Sequence, residues 1–171
     1  MQNYFELFDL ETSFFVDEEA LKKAYQAQVT RFHPDNFATK SQAEQLQALQ
    51  NTSLVNSAYT TLKTPLNRAS YLLNLEDVNP FDEKDTNMDA NFLVSQIELR
   101  EQLEGIKEQQ DNLALDDFIE RVQDFIRDNV ASISEAFTQS RDLQEIKTLV
   151  RELKFYEQLN KEANLLIDEW L

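Results

Sequence analysis

The chain has 171 residues, 42% of them hydrophobic, with no cysteine, one glycine and three prolines. This excludes a disulfide framework, a thiolate metal centre and a cysteine nucleophile. The formal net charge of −16 sets up a field that repels nucleic acid and anionic membranes, and no apolar run approaches the roughly 18 residues that span a bilayer.

So few chain breakers, with so much Glu, Gln, Leu and Ala, predict an all-α protein. The charge is uneven. Residues 1–75 carry 6 basic and 8 acidic side chains, and residues 76–171 carry 10 basic and 24 acidic. The acidic half fits either plain solubility or protein partners with basic patches. The first nine residues are acidic and aromatic rather than basic then apolar, which does not read as a targeting segment and predicts a cytoplasmic location.

In chain order, residues 2–10 predict a short helix whose Tyr4, Phe5, Leu7, Phe8 and Leu10 cap a small core. Asp17 is an N-cap with Glu18 and Glu19 in the first turn. The helix that follows runs to Phe32, with Leu21, Ala24, Tyr25, Gln28, Val29 and Phe32 on one stripe and Lys22, Lys23 and Arg31 off it. Pro34 disfavours helical backbone at His33, so the chain leaves the helix into a tight polar corner, His33-Pro34-Asp35, with Phe37 and Ala38 in a short loop. Ser41 and Glu44 form a capping box for a second helix ending near Pro65. Its Leu46, Leu49, Leu54, Val55, Ala58, Tyr59 and Leu62 are expected to bury against the first. Pro65 starts a further short helix, apolar on several sides, expected to pack between two domains. Residues 76–89, with six acids, one base and Pro80, predict a linker. Three long helices follow, at about 90–110, 114–139 and 142–170. Their polar joins, Asp111-Asn112 and Ser140-Arg141, predict an up-down-up bundle.

One histidine with one local carboxylate makes neither a triad nor a metal site, and there is no Gly-x-Ser-x-Gly turn or glycine-rich phosphate loop. No catalytic residue, metal or cofactor is expected, and the chain does not read as an enzyme. Taken alone, His33 could simply cap a helix C-terminus.

The arrangement of aromatic helix, helix with cations, HPD corner and second helix resembles the J-domain, the module through which J-proteins stimulate a DnaK-type chaperone ATPase. The resemblance implies that His33, Pro34 and Asp35 engage the chaperone, with Asp35 pairing to a chaperone arginine, a charge-assisted and directional contact. It further implies that Lys22, Lys23 and Arg31 meet an acidic chaperone surface. Their plain alternative is a solvated helix face. Asn36 stands where many J-domains carry lysine. That departure, with so sparse a basic face, implies a weaker or more selective contact, to one dedicated chaperone.

There is no Gly/Phe-rich segment and no cysteine zinc region, so this is not a DnaJ-like general co-chaperone. Arg68-Ala69-Ser70-Tyr71-Leu72-Leu73, the run from Phe92 to Leu103 and Val150-Arg151-Glu152-Leu153-Lys154-Phe155 make the whole chain similar to HscB, the J-type co-chaperone of iron–sulfur cluster assembly. That resemblance implies an HscA-like chaperone and an IscU-like scaffold protein as partners, the scaffold binding on the first and third bundle helices. Periodicity points to the same faces. At about 100° per residue, Phe92, Leu99, Leu103 and Ile106 share one core stripe. Leu93, Val94 and Ile97 lie opposite or beside it, with Glu101 and Glu104. Phe155 falls off the Leu149–Leu153–Tyr156 stripe. The candidate scaffold-binding residues are Leu93, Val94, Ile97, Glu98, Glu101 and Phe155, Glu98 at the patch edge. The alternative is a second apolar face that packs inside the protein. The expected architecture is a J-domain with a short trailing helix over residues 1–75, an acidic linker over 76–89 and a client-binding bundle over 90–171. Two other readings stay open, a J-protein with a different client and an adaptor whose HPD corner is only structural.

Overall fold

The computed structural model describes residues 2–85 and 89–171. Every regular element among them is a helix, and none is long and apolar enough to cross a membrane. The chain divides into two compact units, Met1–Glu76 and Asp77–Leu171.

The first unit contains α1 (Tyr4–Leu7), α2 (Glu18–Arg31), a 3-10 turn (Pro34–Phe37), α3 (Gln42–Lys63) and α4 (Pro65–Leu75). Local chemistry sets their starts. Asn3 and Glu6 exchange side-chain and backbone bonds in a capping box at α1, and Asp17 accepts from the Glu19 and Ala20 amides at α2. The predicted box at α3 is present, with Ser41 Oγ accepting from Glu44 N–H at 3.2 Å and Glu44 accepting from Ser41 N–H at 3.3 Å. Helices α2 and α3 run antiparallel. Tyr25 stacks on Tyr59 at 4.1 Å and donates to Asn56 at 2.7 Å, while at the other end Thr52 reaches the Phe32 carbonyl.

The stripe on α3 differs from the expected one. Its buried face is Ala48, Val55, Ala58 and Leu62, whereas Leu46, Leu49 and Leu54 are exposed. Seven-residue spacing keeps positions 48, 55 and 62 in line, and the three leucines fall away from that line by 80° or more. The apolar end of the unit is closed by Phe5, Phe8 and Phe14, all buried. Tyr4 stacks on Tyr71 at 4.7 Å, and its amide donates to the Tyr71 hydroxyl at 2.9 Å.

Arg68 is the buried polar centre of this unit. Its Nε donates to the Phe14 carbonyl at 2.7 Å, its Nη1 to the Leu62 carbonyl at 2.9 Å, and its guanidinium lies 4.9 Å from the Phe14 ring centroid. Burial lowers its pKa, with Glu18 opposing that shift. One planar cation thereby ties the loop before α2 to the corner between α3 and α4. We expect Arg68→Ala to cost about 3 kcal/mol, because it removes two buried hydrogen bonds and leaves a void. The denaturant midpoint of the helical circular dichroism signal reads that loss.

The second unit is a three-helix bundle of α5 (Ala90–Gln109), α6 (Asn112–Thr138) and α7 (Leu143–Trp170). The α5–α6 join sits one residue earlier than predicted. Gln110 takes the left-handed backbone that ends α5, Asp111 caps α6, and Asn112 is already helical. Phe92, Leu99 and Leu103 of α5, Leu115, Phe118 and Val122 of α6, and Phe155, Leu159 and Ala163 of α7 form one core cluster. Beyond it α6 and α7 continue through buried Ile133, Ala136, Ile146 and Val150.

Residues 77–85, predicted as linker, belong to this bundle. Pro80 is buried, and the Phe81 ring sits 4.3 Å from Lys154 Nζ. The Asp85 carboxylate pairs with Lys147 and with Arg151 at 3.6 Å, while Arg151 also donates to the Asp85 carbonyl at 3.1 Å. Acidity alone reads as a solvated tether. The partners that hold this segment lie about 60 residues further on, where a local pattern cannot show them. Predicted linker positions 86–88 fall outside the described residues.

Glu152, on the same helix, is half-buried. Burial raises its pKa above the ordinary carboxylate range, and the nearby Asp89 charge pushes it the same way. Such a group favours the fold fully below the unfolded carboxylate pKa and loses that contribution as pH rises through the folded one. Glu152→Gln is therefore expected to melt higher than the parent at neutral pH. The gain should shrink on acidification and vanish below the ordinary carboxylate range, which melting curves across pH would show.

Candidate functional site

The first site is the corner after α2. Helix α2 ends at Arg31, and Phe32 caps it with its amide on the Gln28 carbonyl. His33 has φ −58° and ψ 137°, the extended backbone required before Pro34. Its Nδ1 accepts from the Asp35 amide at 3.2 Å and lies 3.6 Å from the Asp35 carboxylate. With Nδ1 accepting, the neutral ring carries its proton on Nε2. Both His33 and Asp35 side chains are exposed, so the corner presents one imidazole donor beside one carboxylate.

The bracing around this corner was not read from the sequence. Pro34–Phe37 is a 3-10 turn, where a loop was expected. Asn36, noted only as a missing cation, donates to the Thr30 carbonyl at 2.7 Å and caps the last turn of α2. Gln45 Nε2 lies within hydrogen-bond distance of the Phe37, Ala38 and Lys40 carbonyls, at 3.1, 3.4 and 3.2 Å. Thr52 Oγ1 reaches the Phe32 carbonyl at 3.4 Å. The Asn36, Gln45 and Thr52 contacts all end on backbone carbonyls, and those of Gln45 and Thr52 also cross between elements, so none of them leaves a pattern in the sequence.

The candidate cations are exposed, yet the helix does not gather them. Lys22 and Arg31 are nine residues apart, about half a turn around α2, and Lys23 lies between them on the outer side. Only Arg31 adjoins the corner, stacked 5.2 Å over the Phe32 ring.

The second site is the outer face of α5. Leu93, Val94 and Ile97 are 46%, 54% and 52% exposed, and Glu98 and Glu101 are exposed beside them. Positions 93, 97 and 101 follow one i, i+4 row, and 94 and 98 the next. Other large apolar side chains are exposed in this unit, among them Leu113 and Leu165. The α5 face differs in placing three within five residues and edging them with carboxylates.

Phe155, expected on that surface, is a core residue instead, 8% exposed. Its ring meets Phe92 edge-on at 5.7 Å, and Arg100 covers it at 5.5 Å while pairing with Glu162 of α7. A bundle helix packs against two neighbours, so its buried arc is wider than one stripe. Phe155 fills the side facing α5, with its ring against Phe92. Arg100, beside the exposed face, links α5 to α7. Among the described residues no group of His, Asp or Glu is arranged to hold a metal ion.

A helical hairpin with a braced His-Pro-Asp corner, followed by a three-helix bundle, defines a J-domain protein with an added helical domain. Family comparisons agree on both parts, residues 3–71 matching the DnaJ domain and residues 88–164 the family described as the HSCB C-terminal oligomerisation domain. The chain is 38% identical over 165 residues to a co-chaperone protein HscB homolog of Photobacterium profundum, covering 96% of each. It is 40% identical over 170 residues to one from Vibrio cholerae, covering 99% of each. The solved chaperone HscB from Vibrio cholerae superposes with a TM-score of 0.88 at 38% identity, over 99% of this chain and 100% of that one. Human co-chaperone protein HscB superposes with a TM-score of 0.89 at 31% identity, over 96% of this chain and 82% of that one. The Jac1 co-chaperone from Saccharomyces cerevisiae, at 22% identity and a TM-score of 0.72, shares the fold. This chain belongs to the HscB family of J-domain co-chaperones.

Proposed function

We propose that this protein binds an IscU-like iron–sulfur scaffold through the outer face of α5. It delivers the scaffold to a dedicated, HscA-like chaperone of the DnaK type and stimulates that chaperone's ATPase through His33, Pro34 and Asp35. The observation that carries this reading is one chain presenting both a braced HPD corner and an exposed Leu93–Val94–Ile97 face edged by Glu98 and Glu101. The reaction belongs to the chaperone, and this chain supplies two docking surfaces and no catalytic group of its own. It works in the cytoplasm of a bacterial-type cell. Holding scaffold and chaperone on one chain makes their encounter intramolecular, at an effective concentration on the order of millimolar for a short connection.

Single-turnover hydrolysis of ATP by the cognate chaperone tests this, with scaffold alone, this protein alone, or both. The expected result is stimulation well beyond the product of the separate effects when both are present. Stimulation indifferent to scaffold would remove the scaffold from the proposal and keep the corner. No stimulation would reduce the corner to a helix end.

A further inference from the structure

Between α5 and α6, near the turn that joins them, lies an open cleft of about 500 Å³. Gln102, Gly105 and Gln109 line it from α5, and Ala114, Asp117 and Arg121 from α6. Gly105 is the only glycine of the chain. It sits inside a helix, where glycine is less favourable than alanine, and its backbone has no positive φ that would call for it. A Cβ added there would meet nothing within 4 Å. Neither backbone conformation nor packing among the described residues requires glycine at this position, and its missing side chain widens the cleft. The surroundings are strongly acidic. Residues 101–121 carry seven carboxylates and two cations, and all seven carboxylates are exposed. Both cations are engaged, Lys107 with Glu104 at 3.3 Å and Arg121 with Gln102 Oε1 at 3.1 Å.

We infer that this cleft takes an extended, Lys- or Arg-bearing segment of the scaffold protein, carrying the docking surface from α5 onto α6. The inference rests on the proposed role of the α5 face, and charge, shape and continuity select the occupant. The carboxylates favour a basic segment, and they repel a second copy of this chain, whose net charge is −16. Gln102 and Gln109 stand seven residues apart on α5, about 10.5 Å, which matches three residues of extended chain at about 3.3 Å each. A carboxamide both donates and accepts, as a peptide group does. An extended segment has peptide groups to offer, whereas a helix has already paired its own. Gly105, between the two glutamines, lets that backbone approach closely. The row through 93, 97 and 101 reaches 105 at its next step. A partner seated on Leu93 and Ile97 therefore meets the cleft about 12 Å beyond Ile97 along the same helix.

The test is calorimetric titration of the cognate scaffold into the full-length protein and into Gly105→Ala, Gly105→Leu and Asp117→Asn, at low and high salt, with melting temperatures alongside. Gly105→Leu fills the cleft and is expected to weaken binding about tenfold, while its melting temperature stays level or rises because leucine is the better helix former. Gly105→Ala, which adds only a Cβ, should bind within about threefold of the parent and also melt higher. Asp117→Asn should bind about threefold more weakly at low salt, and the difference should fade at high salt. Weaker binding in a more stable protein is a result that a purely structural role for position 105 does not produce. Parental affinity in Gly105→Leu and Asp117→Asn, with affinity lost in the Leu93→Ala, Ile97→Ala double variant, would overturn the cleft and leave the α5 face standing. A parent that does not bind scaffold would overturn both. Self-association of the parent in sedimentation, abolished by Gly105→Leu at unchanged scaffold affinity, would assign the cleft to a second copy of this chain and overturn the proposal.

Discussion

His33→Gln is expected to abolish stimulation of the chaperone while scaffold binding stays unchanged. The imidazole has two tasks in one ring, accepting the Asp35 amide at Nδ1 and offering Nε2–H outward. A glutamine side chain is longer and rotates freely, so it cannot hold the Asp35 amide in the same turn and present a donor at the same place. Asp35 then loses its fixed direction, and a directional carboxylate–guanidinium contact is sensitive to direction. Losing a central interface residue typically removes at least about 2 kcal/mol of binding, roughly a thirtyfold weakening. Because His33 is exposed and Thr30, Asn36 and Gln45 still brace the turn, the melting temperature should not move. Calorimetric titration of scaffold together with ATP turnover measures both halves, and residual stimulation above about a tenth of the parent's would count against a direct role for the ring.

The second large effect falls on α5. Leu93→Ala with Ile97→Ala should weaken scaffold binding about a hundredfold, from two aliphatic side chains each contributing on the order of 1.5 kcal/mol when buried by a partner. Both are half-exposed in the free protein, so stability should change by no more than about 0.5 kcal/mol. Phe155→Ala serves as the contrast. It removes the ring that Phe92 and Arg100 pack against and should cost about 3 kcal/mol or more of stability, weakening binding only through a loosened α5. A Phe155 variant that binds poorly at unchanged melting temperature would restore that side chain to the surface.

The difference between these residues shows where the sequence could be read. The HPD corner is governed by its own residues. Proline sets the backbone before it, and the three side chains act within four positions of one another. The capping box of α3 is local in the same way. The α5 face was legible because a single helix carries both its stripes and the angle between them is fixed. Phe155 was misplaced because its surroundings are set by α5, more than 50 positions away in the chain. The buried Ala48–Val55–Ala58–Leu62 line of α3 was obscured by larger leucines. Alanine marks where two helices approach closely, while a pattern search weights bulk. Asn36 and Gln45 were silent for another reason. Their work is done on backbone carbonyls, which every sequence has and none displays.

The clasp of Asp85 by Lys147 and Arg151 sets the terms on which this protein can exchange parts with its relatives. A chimaera joined between Glu76 and Asp77 passes the segment from 77 to 85 on with the helix it is fastened to, whichever J-domain is placed in front. A chimaera joined at the start of α5 leaves Lys147 and Arg151 facing whatever the new partner brings and uncovers the Phe81 site beside Lys154. Chimaeras are expected to fold better when joined at the first junction, because the compact unit of the bundle begins thirteen residues before its first helix.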